Sequence, residues 1–210
     1  GLLLDRGRGG LCCTLCERAG MPGRRRFLQG SAAIGLTLGC GRGKSTVPPQ
    51  PGPVARDLLV LGGTGFIGPH LVRHAVARGH RVTIFTRGRR EAELPAGVTR
   101  LIGDRDGKLG ALEGRRFDAV FDDSATRPAW VRMSAQLLKG SVGRYLFTSS
   151  TGVYYPYLTE GVDESTPVRM EVTDPEDGSE AYGVAKAQCE REVAQSFGAR
   201  GTVVRPTYIV

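Results

Sequence analysis

The stretch "LLVLGGTGFIGPHLVRHAVARG", residues 58–79, constrains the fold of this chain more than any other. A short Leu/Val run leads into three glycines spaced three apart, Gly62, Gly65 and Gly68, and apolar residues then recur at helical period. That order predicts a strand, a tight loop and a helix. In G-x-x-G-x-x-G the first glycine permits the turn, the second lets backbone approach a pyrophosphate, and the third lets helix pack closely on strand. The helix start then offers unpaired N–H groups and a positive dipole end to an anion. With Thr64, Phe66 and Ile67 in its variable positions, the loop reads as a dinucleotide-cofactor loop.

The pattern continues downstream. "DLLVL", "RVTIFT", "VTRLI", "FDAVFD", "RYLFTS" and "TVVRP" are apolar enough for strands covered on both faces. Between them fall the helical patterns "FIGPHLVRHAVARG", "PAWVRMSAQLLKG" and "SEAYGVAKAQCEREVAQSF". Strand, helix, strand repeated in this way predicts an α/β fold, a Rossmann-like doubly wound parallel sheet with helices on both faces, over residues 57–210. A chain of 210 residues suits one such folded unit.

The net charge of +8 first suggests a nucleic-acid partner, and its distribution removes that suggestion. Of the 29 Lys/Arg and 21 Asp/Glu, nine and two fall in residues 1–56, which leaves twenty against nineteen in the remainder. The basicity belongs to the leader, so no nucleic-acid partner is expected. Residues 1–20 show no periodicity and read as a start placed too far upstream of Met21. Residues 21–45 then carry Arg24-Arg25 followed by Arg26-Phe27-Leu28 and an apolar run, which resembles a twin-arginine export signal. A basic amphipathic helix or a chance arginine cluster would give the same letters. "LTLGC" resembles a lipoprotein cleavage site at Cys40, with Thr37 in place of the usual branched residue. Residues 46–56, rich in Pro and Gly, read as a linker. The expectation is export by the twin-arginine machinery to the periplasm, free or anchored through Cys40, and a cytoplasmic protein if the signal is false.

Several other residue groups have the composition of a site. Cys12, Cys13 and Cys16 lack the second ligand pair of a zinc site. His70 and His74 are one turn apart but have no third ligand nearby, which leaves a helix surface as the better reading. Cys189, inside a helical pattern, reads as a small buried hydrophobe. Asp122, Asp123 and Ser124 after the fourth strand suit either acid–base chemistry or a strand-end turn and helix cap. After the second strand, where an acid would bind the ribose 2′-hydroxyl of NAD, stand Thr86 and Arg87. A guanidinium there attracts a 2′-phosphate, so NAD(P) is the expected cofactor and NADP is favoured over NAD. The same arginines also suit a solvated surface loop.

"RYLFTSSTGVYYPY" ends a strand on Ser149 and Ser150, and Tyr182 and Lys186 follow at positions i and i+4 of a helical pattern. That spacing puts phenol and ammonium on one face. Positive charge nearby lowers a tyrosine's pKa from about 10 and makes it a proton donor and acceptor near neutrality. A serine hydroxyl at the carboxyl end of a parallel strand can hold a carbonyl or alcohol beside it.

Taken together, "GGTGFIG", "LFTSSTGVY", "YGVAK" and "VVRPTYIV" resemble the extended short-chain dehydrogenase/reductase superfamily, in its NAD-dependent epimerase/dehydratase branch, over residues 58–210. The resemblance implies that Ser150, Tyr182 and Lys186 are catalytic, with Tyr182 the acid/base and Lys186 also binding the nicotinamide ribose. It implies that Asp104 in "IGDRDG" contacts adenine. It further implies a hydride exchanged between nicotinamide and a sugar-nucleotide or other hydroxylated substrate, and a homodimer formed through helices of the sheet domain. Two features depart from the family: no acid follows the second strand, and "FDDSA" replaces a histidine-alanine-alanine pattern. The family continues beyond "RPTYIV" into a substrate-binding region, so the chain is expected to be C-terminally truncated and the fragment inactive by itself if that region is required. The resemblance leaves epimerase, dehydratase and reductase open, together with a non-catalytic dinucleotide- or RNA-binding regulator on the same fold. The intact Ser150, Tyr182 and Lys186 favour the enzyme.

Overall fold

Runs of Val, Ile, Leu and Phe form six strands: β1 (Asp57–Leu61), β2 (Arg81–Thr86), β3 (Thr99–Ile102), β4 (Phe117–Asp122), β5 (Val142–Thr148) and β6 (Gly201–Val204). The computed structural model describes residues 54–158, 160–207 and 209. The proposed start at Met21, the export segment, Cys12, Cys13, Cys16 and Cys40, and residues 46–53 of the linker lie outside them. Every neighbouring pair of strands is parallel, in the order β3-β2-β1-β4-β5-β6. Three helices make the crossovers: α1 (Gly68–Ala77) between β1 and β2, α2 (Pro128–Leu138) between β4 and β5, and α3 (Gly178–Phe197) between β5 and β6.

Side-chain alternation along β1 assigns the faces. Leu58 and Val60 share a buried cluster with Val72 and Ala75 of α1, while Leu59 and Leu61 share one with α2 and α3 through Val131, Leu138 and Val193. Helices therefore cover both faces, and the sheet is doubly wound. Cys189 is part of the second cluster, and burial pushes its thiol up to about 12. The strand–helix alternation fails in two places. The β2–β3 connection has no helix and contains Pro95 and the positive-φ Gly97, and β3–β4 carries only a short 3-10 turn at Gly110–Leu112. Both loops are thereby left at the carboxyl edge of the sheet.

Under that edge lies a polar group within the apolar core. Asp122, 0 % exposed, accepts hydrogen bonds from Arg105 at 2.5 and 2.6 Å and from the Tyr145 hydroxyl at 2.6 Å. Arg105 also donates to Ser134 Oγ at 2.9 Å. Asp122 is therefore neither a turn cap nor an acid–base group. It is the counter-charge of a buried arginine, a role that neither reading of "DDS" included. The pairing gives each ion its counter-charge where an unpaired one would carry a large desolvation cost, although Arg105 Nε itself has no hydrogen-bond partner among the described residues.

The β5–α3 connection is tied to the helix it precedes. Asp177 caps α3 by accepting from the N–H groups of Ser179 and Glu180 at 2.9 and 3.1 Å. Glu180 reaches back to accept from Asp174 N, Thr173 N, Thr173 Oγ1 and Arg169. These bonds, that from Asp174 N foremost, hold its carboxyl down at about 2. The first turn of α3, which leads to Tyr182, is thus fixed on both sides.

Candidate active site

The chain runs outward from β1 through β2 to β3 and returns to β4 on the other side of β1. Loops leaving β1 and β4 diverge at such a reversal and open a crevice at the strands' carboxyl ends. Here the crevice has two arms, of about 430 and 470 Å³, that share Gly62, Gly65 and Ser124.

The glycine loop forms the junction. Gly62 and Gly63 have φ of +116° and +87°, a region closed to most side chains. A Cβ on Gly68 would strike the backbone of Gly63, so α1 rests directly on the loop. Around Gly65, by contrast, the space that a Cβ would take is open. The start of α1 has no side-chain cap and no acid in its first turn. An uncapped helix start beside open space fits a pyrophosphate. Gly63 is a loop residue that the three-residue spacing missed, and the "GG" doublet was its signal.

One arm, here termed the base arm, takes Thr86, Arg87, Arg89 and Arg90 from the loop after β2, Asp104 and Arg105 from the loop after β3, and Trp130 from α2. Arg87 is exposed. Asp104 pairs its backbone with Lys108 at 3.0 and 2.8 Å, and its carboxylate accepts from Asp106 N at 3.1 Å. Among the described residues lining this arm Asp104 is the one carboxylate, while Glu91 and Glu93 of the loop after β2 are not part of the lining.

The other arm brings together Ser150, Tyr182 and Lys186, with Phe66 and Ile67 of the glycine loop opposite. Ser150 stands two residues past the end of β5 and caps the short 3-10 turn Thr151–Tyr154, its Oγ accepting from Gly152 N at 3.0 Å and leaving its own O–H to donate. Tyr182 is 44 % exposed, and its ring lies 3.3 Å from where a Cβ on Gly152 would stand. A Cβ on Gly183 would strike the Gly152 carbonyl, so a glycine on each side lets α3 approach the turn after Ser150. Lys186 is buried, and its Nζ donates to Thr148 O at 2.8 Å and Ala125 O at 2.9 Å and lies 4.8 Å over the Phe147 ring. Helical spacing suggested an ammonium beside the phenol, whereas two of its three donors are taken by carbonyls and one remains. Burial pulls the Lys186 pKa down, against the Asp122 charge that supports the ammonium.

Asp123 also lines this arm, its carboxylate against Gly62. Burial, reinforced by the Asp122 charge, pushes its carboxyl up to about 7. His70 and His74 are exposed on α1, and among the described residues no group of three metal-ligating side chains comes together.

This arrangement accords with the family comparison, in which the profile of the NAD dependent epimerase/dehydratase family matches residues 58–210. The chain belongs to that family. Two curated relatives are each 30 % identical: the chloroplast stem-loop binding protein of 41 kDa b of Arabidopsis thaliana over 171 residues, 73 % of this chain and 42 % of that protein, and the 2-alkyl-3-oxoalkanoate reductase of Stenotrophomonas maltophilia over 155 residues, 65 % and 45 %. The chain therefore spans under half the length of either relative. Among solved structures, a UDP-galactose 4-epimerase superposes with a TM-score of 0.58 at 24 % identity, over 71 % of this chain and 55 % of that one. The Bordetella bronchiseptica enzyme WbmG in complex with NAD and UDP superposes with a TM-score of 0.58 at 17 % identity, over 72 % and 53 %. Both folds match the parallel six-stranded sheet, and the WbmG structure holds NAD.

Proposed function

We propose that this chain forms the cofactor-binding and proton-transferring part of an NADP-dependent epimerase/dehydratase-type oxidoreductase that acts at a hydroxyl or carbonyl carbon of a sugar-like substrate. One observation carries the reading: Ser150, Tyr182 and Lys186 line one arm of a crevice whose junction is the glycine loop. When bound, the nicotinamide supplies or accepts the hydride. Ser150 donates its O–H to the substrate oxygen and fixes its position. Tyr182, half open to the arm, passes a proton to or from that oxygen at Oη. Lys186, anchored by two carbonyls, keeps its remaining N–H for a ribose hydroxyl or the phenolate. The three arginines after β2 favour a 2′-phosphate over a bare 2′-hydroxyl.

A non-catalytic RNA-binding role on the same fold is the second reading, supported by the stem-loop binding relative. The near-balanced charge of residues 57–210, twenty basic against nineteen acidic, weighs against it. Titration with NADPH and NADH distinguishes the two readings. NADPH should bind more tightly, and Arg87→Asp should weaken NADPH by about ten- to a hundredfold while leaving NADH little changed. A folded chain that binds neither nucleotide but retains a stem-loop RNA would reverse the order of the readings.

A further inference from the structure

The chain contains a single tryptophan, Trp130, and it stands in the wall of the base arm. Its position is held from two directions. Its backbone N–H donates to Arg127 O at 3.0 Å, which closes the first turn of α2, and its backbone carbonyl accepts from Ser134 Oγ at 2.8 Å. Ser134 in turn accepts from Arg105, the arginine paired with Asp122. The residue carrying the indole is thus fastened to the buried polar group under the cleft. The Arg127 guanidinium lies 5.0 Å from the indole centroid, and Arg127 is not part of the cleft lining. The cation over the ring thus comes from a residue outside the arm, whereas Trp130 itself lines it.

A dinucleotide laid across the crevice has its phosphates at Gly65 and its reacting ring beside Tyr182, which sends its other nucleoside into the base arm. The ribose then falls at the end of β2, against Arg87, and the base reaches the end of β3 and the start of α2. A purine is flat and poor in charge, and the large flat side chain at that point is the Trp130 indole.

We infer that Trp130 is the stacking wall for the purine base, a binding residue outside the catalytic group that sets the affinity for adenine nucleotides. The inference rests on the dinucleotide reading of the cleft. Base–aromatic stacking predicts that Trp130→Ala weakens an adenine nucleotide by about 5- to 150-fold, with Trp130→Phe losing less.

The test uses the full chain and three probes: NADPH, 2′,5′-ADP, which lacks the nicotinamide, and reduced nicotinamide mononucleotide, which lacks the adenosine. The emission of the single tryptophan should change on adding 2′,5′-ADP to the wild type. Trp130→Ala should weaken NADPH and 2′,5′-ADP together and leave the mononucleotide unaffected. If 2′,5′-ADP binds with no change in emission and the variant binds it as well as the wild type, the stacking role is overturned while the dinucleotide reading stands. If none of the probes binds the folded wild type, both fall. Should Trp130→Ala fail to fold, the wild-type emission decides alone: no change with bound 2′,5′-ADP sinks the inference.

Discussion

Tyr182 and Lys186 lie one turn apart on a single 20-residue helix, and Ser150 caps the short turn that follows β5 and packs against that helix, so the reacting arm is built from one helix and the end of one strand. The base arm is assembled differently. Its arginines come from the loop after β2, Asp104 and Arg105 from the loop after β3, and Trp130 from α2, and the buried Arg105, paired with Asp122 at the end of β4, ties the last two together by donating to Ser134 of α2. In the first arm local spacing sets the chemistry. In the second it is set by the chain crossovers and one ion pair. Loss of the Tyr182 hydroxyl should therefore alter reaction without cofactor binding, and a substitution beneath the base arm should alter folding first.

The largest effect is expected at Tyr182. Phenylalanine keeps the ring against Gly152 and removes only the hydroxyl, so the fold and the base arm are untouched. Loss of a positioned acid/base group costs about 10²- to 10⁴-fold in rate. On the proposed function, turnover by the protein that carries this segment should fall by that factor, with NADPH affinity within about twofold of wild type. Loss of NADPH affinity in parallel would mean that the two arms are not separable as described.

Asp122→Ala attacks the other side of the comparison. It leaves Arg105, 6 % exposed, without its counter-charge and Tyr145 without its acceptor. Removing one partner of a buried pair costs about 3–5 kcal/mol, a large part of the stability of an ordinary domain. Urea unfolding should show a midpoint lowered to match, with any surviving folded fraction losing adenine-nucleotide affinity. Tyr145→Phe, which leaves the ion pair in place, should cost only about 1–2 kcal/mol. Equal losses would show that the hydroxyl, not the charge pair, carries the network.

The two arms also differ in how far they could be read from letters. Periodicity placed α1, α2 and α3 and all six strands to within two residues; the helices and the inner strands bury apolar faces whose period is a property of the local chain, while the edge strands β3 and β6, mostly exposed, were marked by their β-branched and apolar runs. Ser150, Tyr182 and Lys186 were legible for the same reason: one strand end and one helical turn bring them into a single arm. The Arg105–Asp122 pair was not. The partners are 17 residues apart on different loop and strand elements, and nothing in "IGDRDG" marks Arg105 as buried. "DDS" looked like a turn because its composition is polar, and it took the β3–β4 crossover to supply a buried cation. Trp130 was opaque likewise, since only the strand order sets α2 across from the loop after β3. Lys186 shows the limit of spacing even in the legible arm: position i+4 gave the shared face, while the Ala125 and Thr148 carbonyls that hold its Nζ come from β5 and the loop after β4.

Asp123 lies where the two arms meet and gives the smallest and most pH-dependent effect. Its carboxyl is pushed up to about 7 by burial first and by the neighbouring Asp122 charge second. In the unfolded chain it ionises near 3.8, its ordinary value. Between those two pH values the folded state keeps a proton that the unfolded state has lost, so this group's contribution is intact below about 4 and is lost as pH rises through about 7. Asparagine holds no such proton. Asp123→Asn should match wild type near pH 4 and exceed it by roughly 1–2 kcal/mol at pH 8, a figure kept well below the full linkage because the carboxyl is only part-buried. Urea unfolding of both proteins from pH 5 to 8 measures the gap. A gap that widens with pH places an uncompensated carboxylate against Gly62, where a bound pyrophosphate would meet its charge; NADH, which has no 2′-phosphate to titrate, should then bind the wild type less tightly at pH 8 than at pH 6 and the variant equally at both. Parallel stability curves would mean that the cleft hydrates this carboxylate, and the junction between the arms would then be neutral ground for an anion.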